Sequence, residues 1–79
     1  MISQQAHIKL AKRGVGRLAG QHPLESSIRE RTGCTIVAVE RDREVIMDIA
    51  SAFTLGEADE LYVCGTVDAL NRFNQAFHD

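Results

Sequence analysis

The chain has 79 residues, room for one domain that buries only about 60% of the surface its unfolded chain exposes, so a partner's contacts would add to its stability. Nine basic against eleven acidic side chains leave a net charge of −2, too small to draw it to nucleic acid or a membrane surface by bulk electrostatics. No apolar run approaches the roughly 20 residues a bilayer-spanning helix needs, and no signal-peptide pattern opens the chain.

Ala6-His7-Ile8-Lys9-Leu10 alternates apolar and polar, which predicts a half-buried first strand. Residues 11–22 hold three glycines and no sustained period, which reads as a loop. Pro23 suits the first position of a helix, where its missing N–H is not needed. Leu24, Ile28 and Arg31 then fall on one face, and Gly33 supplies the left-handed stop. Cys34 to Val39 is apolar on both faces, as in a central strand covered on both sides. A third strand follows at Glu44–Asp48, with Val45 and Met47 on one face and Glu44, Ile46 and Asp48 on the other.

Ala50–Leu55 is a connector whose Phe53 and Leu55 plug the core. The fourth strand is Leu61–Cys64. Thr66 caps the last helix, whose apolar stripe is Val67, Leu70, Phe73 and Phe77. The fold class is α+β: a small mixed sheet of about four strands with two helices, in the order β-α-β-β-β-α.

Few residues carry chemistry by spacing. His7, His22 and His78 stand on a strand, a loop and the C-terminus, so no metal site is expected. Glu57, Asp59 and Glu60 form an acidic turn, read as solvated acids. Lys9, Lys12, Arg13 and Arg17 make the first quarter basic, read as a solvated surface. Cys34 and Cys64 lie in strands, where unpaired cysteine behaves as a small hydrophobe, in keeping with a reducing, cytoplasmic setting. Gly14, Gly16 and Gly20 follow a strand, and Glu40 comes twenty residues after Gly20, where a ribose-binding acid would sit. That pattern carries the alternative reading, a dinucleotide-binding oxidoreductase fragment. Lys9 and His7 in the preceding strand and the Gln21-His22-Pro23 interruption argue against it.

The run Ile28-Arg29-Glu30-Arg31-Thr32-Gly33, then a β-hairpin, then Asp59-Glu60-Leu61-Tyr62-Val63-Cys64-Gly65-Thr66, resembles the RCK C-terminal (TrkA-C) domain of potassium channels and cation transporters. The resemblance runs from about Ile8 to Phe73. It implies a TrkA-C-like fold over residues 1–79, a single domain within a longer protein, and a non-enzymatic sensing role. Expected partners are a second copy of the domain, an adjoining RCK N-terminal domain or a membrane pore subunit, with no nucleic acid polymer.

The setting implied is the cytoplasmic, inner face of the membrane. Several family members bind cyclic di-AMP across the paired domains, with an arginine on its phosphates and the start of the next strand on its bases. The matching positions here are Arg29, Thr35 and Ile36; no other cofactor is implied. A guanidinium suits phosphate oxygens, and short strand side chains leave room for a purine.

Four positions depart from the family pattern. Thr35 stands where some nucleotide-binding members carry an amide. Arg43 replaces the usual hairpin glycine, which points away from the tightest two-residue turns. Ala58 replaces the glycine before Asp59, and the Asn-Pro common after the third strand is absent at Asp48-Ile49.

Overall fold

A computed structural model describes residues 7–77. Four strands and two helices follow the expected order: β1 (Lys9–Gly14), α1 (Ser26–Thr32), β2 (Thr35–Arg41), β3 (Glu44–Ile46), β4 (Glu60–Gly65) and α2 (Val67–Phe77), with one 3₁₀ turn at Gly16–Leu18. The sheet order is β1-β4-β2-β3. Every pairing is antiparallel, which corrects the expected mixed sheet. β1 and β2 run the same way, yet β4 lies between them and opposes both.

The first strand begins later than its alternation suggests and runs into the expected loop, while Ala6 lies outside the described residues. Ala11, not Ile8 or Leu10, faces the core, opposite Val63; Ile8 and Leu10 are 62% and 63% exposed. Val15 and Leu18 are the buried anchors of this segment. Their spacing fits the single 3₁₀ turn, in which side chains three apart stack.

Both helices pack on one face of the sheet, in a cluster built on Ile28, Ile36, Val39, Leu61, Val63, Leu70 and Phe73. β2 reaches this face through a bulge. Ile36 pairs with Val63 and Ala38 with Tyr62, leaving Val37 as the extra residue. A regular strand would put Ile36 and Val39 on opposite faces; the inserted residue turns both toward the helices. β2 is therefore interior to the sheet, but not covered on both sides. Val37 is 43% exposed on the face without helices.

The hairpin after β2 corrects another expectation. Arg41 pairs with Glu44, so Asp42 and Arg43 alone form the loop, with φ of 53° and 68°. That is the φ pattern of the tightest primed turn, held without a glycine. β3 stops at Ile46, short of the expected Asp48; Ile46 opposes Val39 on the covered face, while Val45 and, just past the strand, Met47 are exposed.

Leu55 is fully enclosed and Phe53 packs beside it, as the connector pattern suggests. Thr66 caps α2 by accepting the Ala69 N–H at 3.1 Å. Ala69 joins Leu70, Phe73 and Phe77 on the buried stripe, and Val67 is exposed instead. Gly65 ends β4 because nothing larger fits. A Cβ there would stand 2.9 Å from Cys34 Sγ and 3.2 Å from Ala69 Cβ.

Candidate functional site

A groove of about 320 Å³ opens between α1 and the start of β2. Its floor is apolar, made by buried Ile28, Cys34 and Ile36. Its rim is Leu24, Glu25, Arg29 and Glu30, all exposed, with half-buried Thr35 at one end. Arg29, Thr35 and Ile36, the set to which the family resemblance points, line this one cavity.

Local structure explains why they meet. Pro23 stands two residues before the N-cap, Glu25, and not at the first helical position. It lies in a turn closed by the Glu25 N–H on the His22 carbonyl at 3.1 Å. Of the expected helix face only Ile28 is buried; Leu24 and Arg31 are exposed, and Thr32 takes the second inward position. At the other end Gly33 adopts φ 82° and donates its N–H to the Arg29 carbonyl at 2.7 Å, the left-handed ending glycine favours.

Thr32 then sets the step from helix to strand. Its hydroxyl donates to the Ile28 carbonyl at 2.6 Å and accepts the Cys34 N–H at 3.0 Å. Arg72 on α2 donates to the Thr32 carbonyl at 3.1 Å. Thr32 is fully buried. The sequence reading missed it, although a threonine before the helix-ending glycine is its signal: a hydroxyl able to bond backward to the helix and forward to the next strand.

Among the described residues, Arg29 forms no ion pair with Glu25 or Glu30. Its guanidinium is available to an anion, while the two carboxylates limit how much negative charge the rim accepts. Burial pushes the Cys34 thiol up from its ordinary range, so at neutral pH it is part of the apolar floor and not a thiolate nucleophile. The floor suits a flat heterocycle and the rim suits a phosphate.

The other candidates resolve differently. The glycine segment does not form a phosphate cradle: Gly14 ends β1, Gly16 starts a single 3₁₀ turn, and no α-helix begins within the pattern. Glu40 accepts the Tyr62 hydroxyl at 2.8 Å and pairs with Lys12 at 3.1 Å. Lys12 also reaches Glu60 at 3.1 Å, and Arg13 donates to Asn74 at 2.9 Å, so the basic segment is distributed over several contacts.

The acidic turn is corrected at one position. Asp59 is 5% exposed and locked to Arg41, not solvated. Among the described residues no three potential metal ligands gather, and no helix is long and apolar enough to cross a membrane. His7 is exposed, and His78 lies outside the described residues.

The TrkA-C domain model matches residues 16–78. Ktr system potassium uptake protein C of Bacillus subtilis (strain 168) is 37% identical over 59 residues, which are 75% of this chain and 27% of that relative. The chain thus spans about a quarter of that curated relative's length.

Among solved structures, the RCK C domain of potassium transport protein KtrA in complex with cyclic di-AMP is 27% identical. The match has a TM-score of 0.76 and covers 89% of this chain and 84% of that one. The GsuK RCK domain is 30% identical with a TM-score of 0.70, over 86% of this chain and 16% of that one. Streptococcal BusR (S. agalactiae) in complex with promoter DNA is 22% identical, TM-score 0.70, over 95% of this chain and 38% of that one. That last likeness is one of fold alone.

Proposed function

The chain belongs to the TrkA-C domain family, and from that membership we propose that it is the cytoplasmic effector-sensing domain of a potassium channel or monovalent-cation transporter. On this reading it is one domain of a longer polypeptide and catalyses no reaction. Two copies pair, and cyclic di-AMP is the effector. Arg29 holds a phosphate, Thr35 and Ile36 lie against a base, and the apolar floor excludes water from the ring.

Regulation follows from differential binding. An effector that fits one arrangement of the pair better than another shifts the population toward it. The coupling free energy then reaches an adjoining RCK N-terminal domain or pore subunit.

The observation that carries this reading is the convergence of Arg29, Thr35 and Ile36 on one groove. Support for the ligand comes from the KtrA RCK C domain, a fold neighbour in complex with cyclic di-AMP. Sedimentation equilibrium with and without cyclic di-AMP tests the assembly. A dimer tightened by the ligand is expected; a monomer under both conditions at micromolar protein contradicts it.

A further inference from the structure

Both ring nitrogens of His22 are committed to the main chain. The Leu24 N–H lies 3.0 Å from Nδ1, and the Ala50 carbonyl oxygen lies 2.9 Å from Nε2. An amide N–H only donates and a carbonyl only accepts, so Nδ1 is the bare nitrogen and Nε2 carries the proton. Only the neutral imidazole offers that combination. An imidazolium would place a second hydrogen on Nδ1, facing the Leu24 N–H, and that contact would open.

The ring sits where such an opening has consequences. Pro23, Leu24 and Glu25 form one lip of the groove that also holds Arg29 and Thr35. Ala50 begins the connector on the other side of the ring. The same two segments are also joined by Gly20 N–H to the Leu55 carbonyl at 2.7 Å and Leu55 N–H to the Gln21 carbonyl at 2.9 Å. Those two bonds are between amides and do not titrate. Among the described residues no charged side chain forms an ion pair with the imidazole. The acids nearest its two main-chain partners in sequence are Glu25, next to Leu24, and Asp48, two residues before Ala50.

We propose that His22 is a proton-sensitive clasp on the groove: the neutral ring holds the Pro23–Glu25 lip, and protonation frees Leu24 and weakens effector binding. This rests on the groove being the effector site. The clasp makes the sensor's affinity fall as its surroundings acidify.

His22→Asn is the informative variant. The amide oxygen of Asn replaces Nδ1 as the acceptor for the Leu24 N–H, in the manner of an Asx turn, and does not titrate. Cyclic di-AMP affinity is measured for both proteins at about pH 7.5 and about pH 5.5, either side of the ordinary imidazole range. The wild type is expected to lose about fivefold, one ordinary hydrogen bond, on acidification. The variant should hold its affinity.

Amide spectra of the unliganded proteins are followed over the same range. In the wild type the Leu24 amide, and with it Thr35 across the groove, should shift and lose exchange protection as the imidazole titrates. An equal pH dependence of affinity in both proteins overturns the proposal, as does a Leu24 amide that stays protected through the imidazole titration. If cyclic di-AMP binds neither protein, the site reading fails, and the Leu24 amide still decides the clasp.

Discussion

Arg41 and Asp59 grip each other through two hydrogen bonds, Nε to Oδ1 at 2.9 Å and Nη2 to Oδ2 at 2.6 Å. Arg41 also donates to the Thr54 carbonyl at 2.9 Å and lies 4.5 Å over the Phe53 ring. Asp59 also accepts the Gly56 N–H at 2.8 Å. The pair thus fastens the long connector to the end of β2, with a bidentate geometry that lysine could not supply.

The Arg41 guanidinium holds the Asp59 carboxyl below its ordinary range, against the opposing effect of burial. A depressed folded value stabilises the protein above the unfolded carboxylate range, and that stability is lost as pH falls through the folded value. Asp59→Asn should therefore cost about 2 kcal/mol at neutral pH. Urea midpoints should show the deficit shrinking below about pH 4, where the wild-type carboxylate also takes up a proton.

Gly65 is fixed by contact and not by backbone angle. Gly65→Ala forces a methyl group against Cys34 Sγ and Ala69 Cβ, both packed in the core. A loss of about 1–3 kcal/mol is expected, as for overpacking elsewhere. Cys34→Ala in the same chain should recover part of it by vacating the space, which thermal melts of the single and double variants would show.

The hairpin holds Arg43 at φ 68°, in a region that costs a side-chain-bearing residue roughly 1–2 kcal/mol. Arg43→Gly removes that strain, and part of the gain is offset by a freer unfolded chain. A net stabilisation of about 0.5–1 kcal/mol is expected by chemical denaturation. A destabilised variant would mean that the Arg43 side chain contributes more than its backbone conformation costs.

Elements with a strong local pattern were legible in the sequence. The Thr66 cap and the stripe of Leu70, Phe73 and Phe77 define α2 from neighbouring residues alone, and Gly33 marks the end of α1. The first strand was legible as an element, but its bounds and its inward face were not. Its core contact is the small Ala11, and its anchors Val15 and Leu18 lie among glycines whose flexibility hides a single 3₁₀ turn. The β2 bulge was also hidden: two apolar faces look like cover on both sides until Ile36 and Val39 are seen to share one. Asp59 looked solvated because its partner Arg41 is 18 residues away. The groove was half legible. The family resemblance pointed to Arg29, Thr35 and Ile36, while the Thr32 hydroxyl and the His22 ring are hydrogen-bonding details that no spacing reveals.

The glycine segment should not bind a dinucleotide, since no α-helix opens within residues 14–20 to receive a pyrophosphate and α1 starts only at Ser26. Millimolar NAD should leave the thermal midpoint unchanged. A ligand at 100 times its dissociation constant adds about 2.7 kcal/mol of stability, so real binding would be visible as a clear rise.

The central claim is that Arg29 anchors an anionic nucleotide in the groove between α1 and β2. Calorimetric titration of cyclic di-AMP into the wild type and Arg29→Ala tests it most directly, with sedimentation confirming that the variant keeps its assembly. Arg29 is exposed and unpaired with Glu25 or Glu30, so its removal should leave stability nearly intact. Binding should weaken by about tenfold, the loss of one charge-assisted contact. Equal affinity in the two proteins, or no heat from the wild type at about 0.1 mM ligand, a concentration matching roughly −5.5 kcal/mol of binding free energy, would contradict the claim.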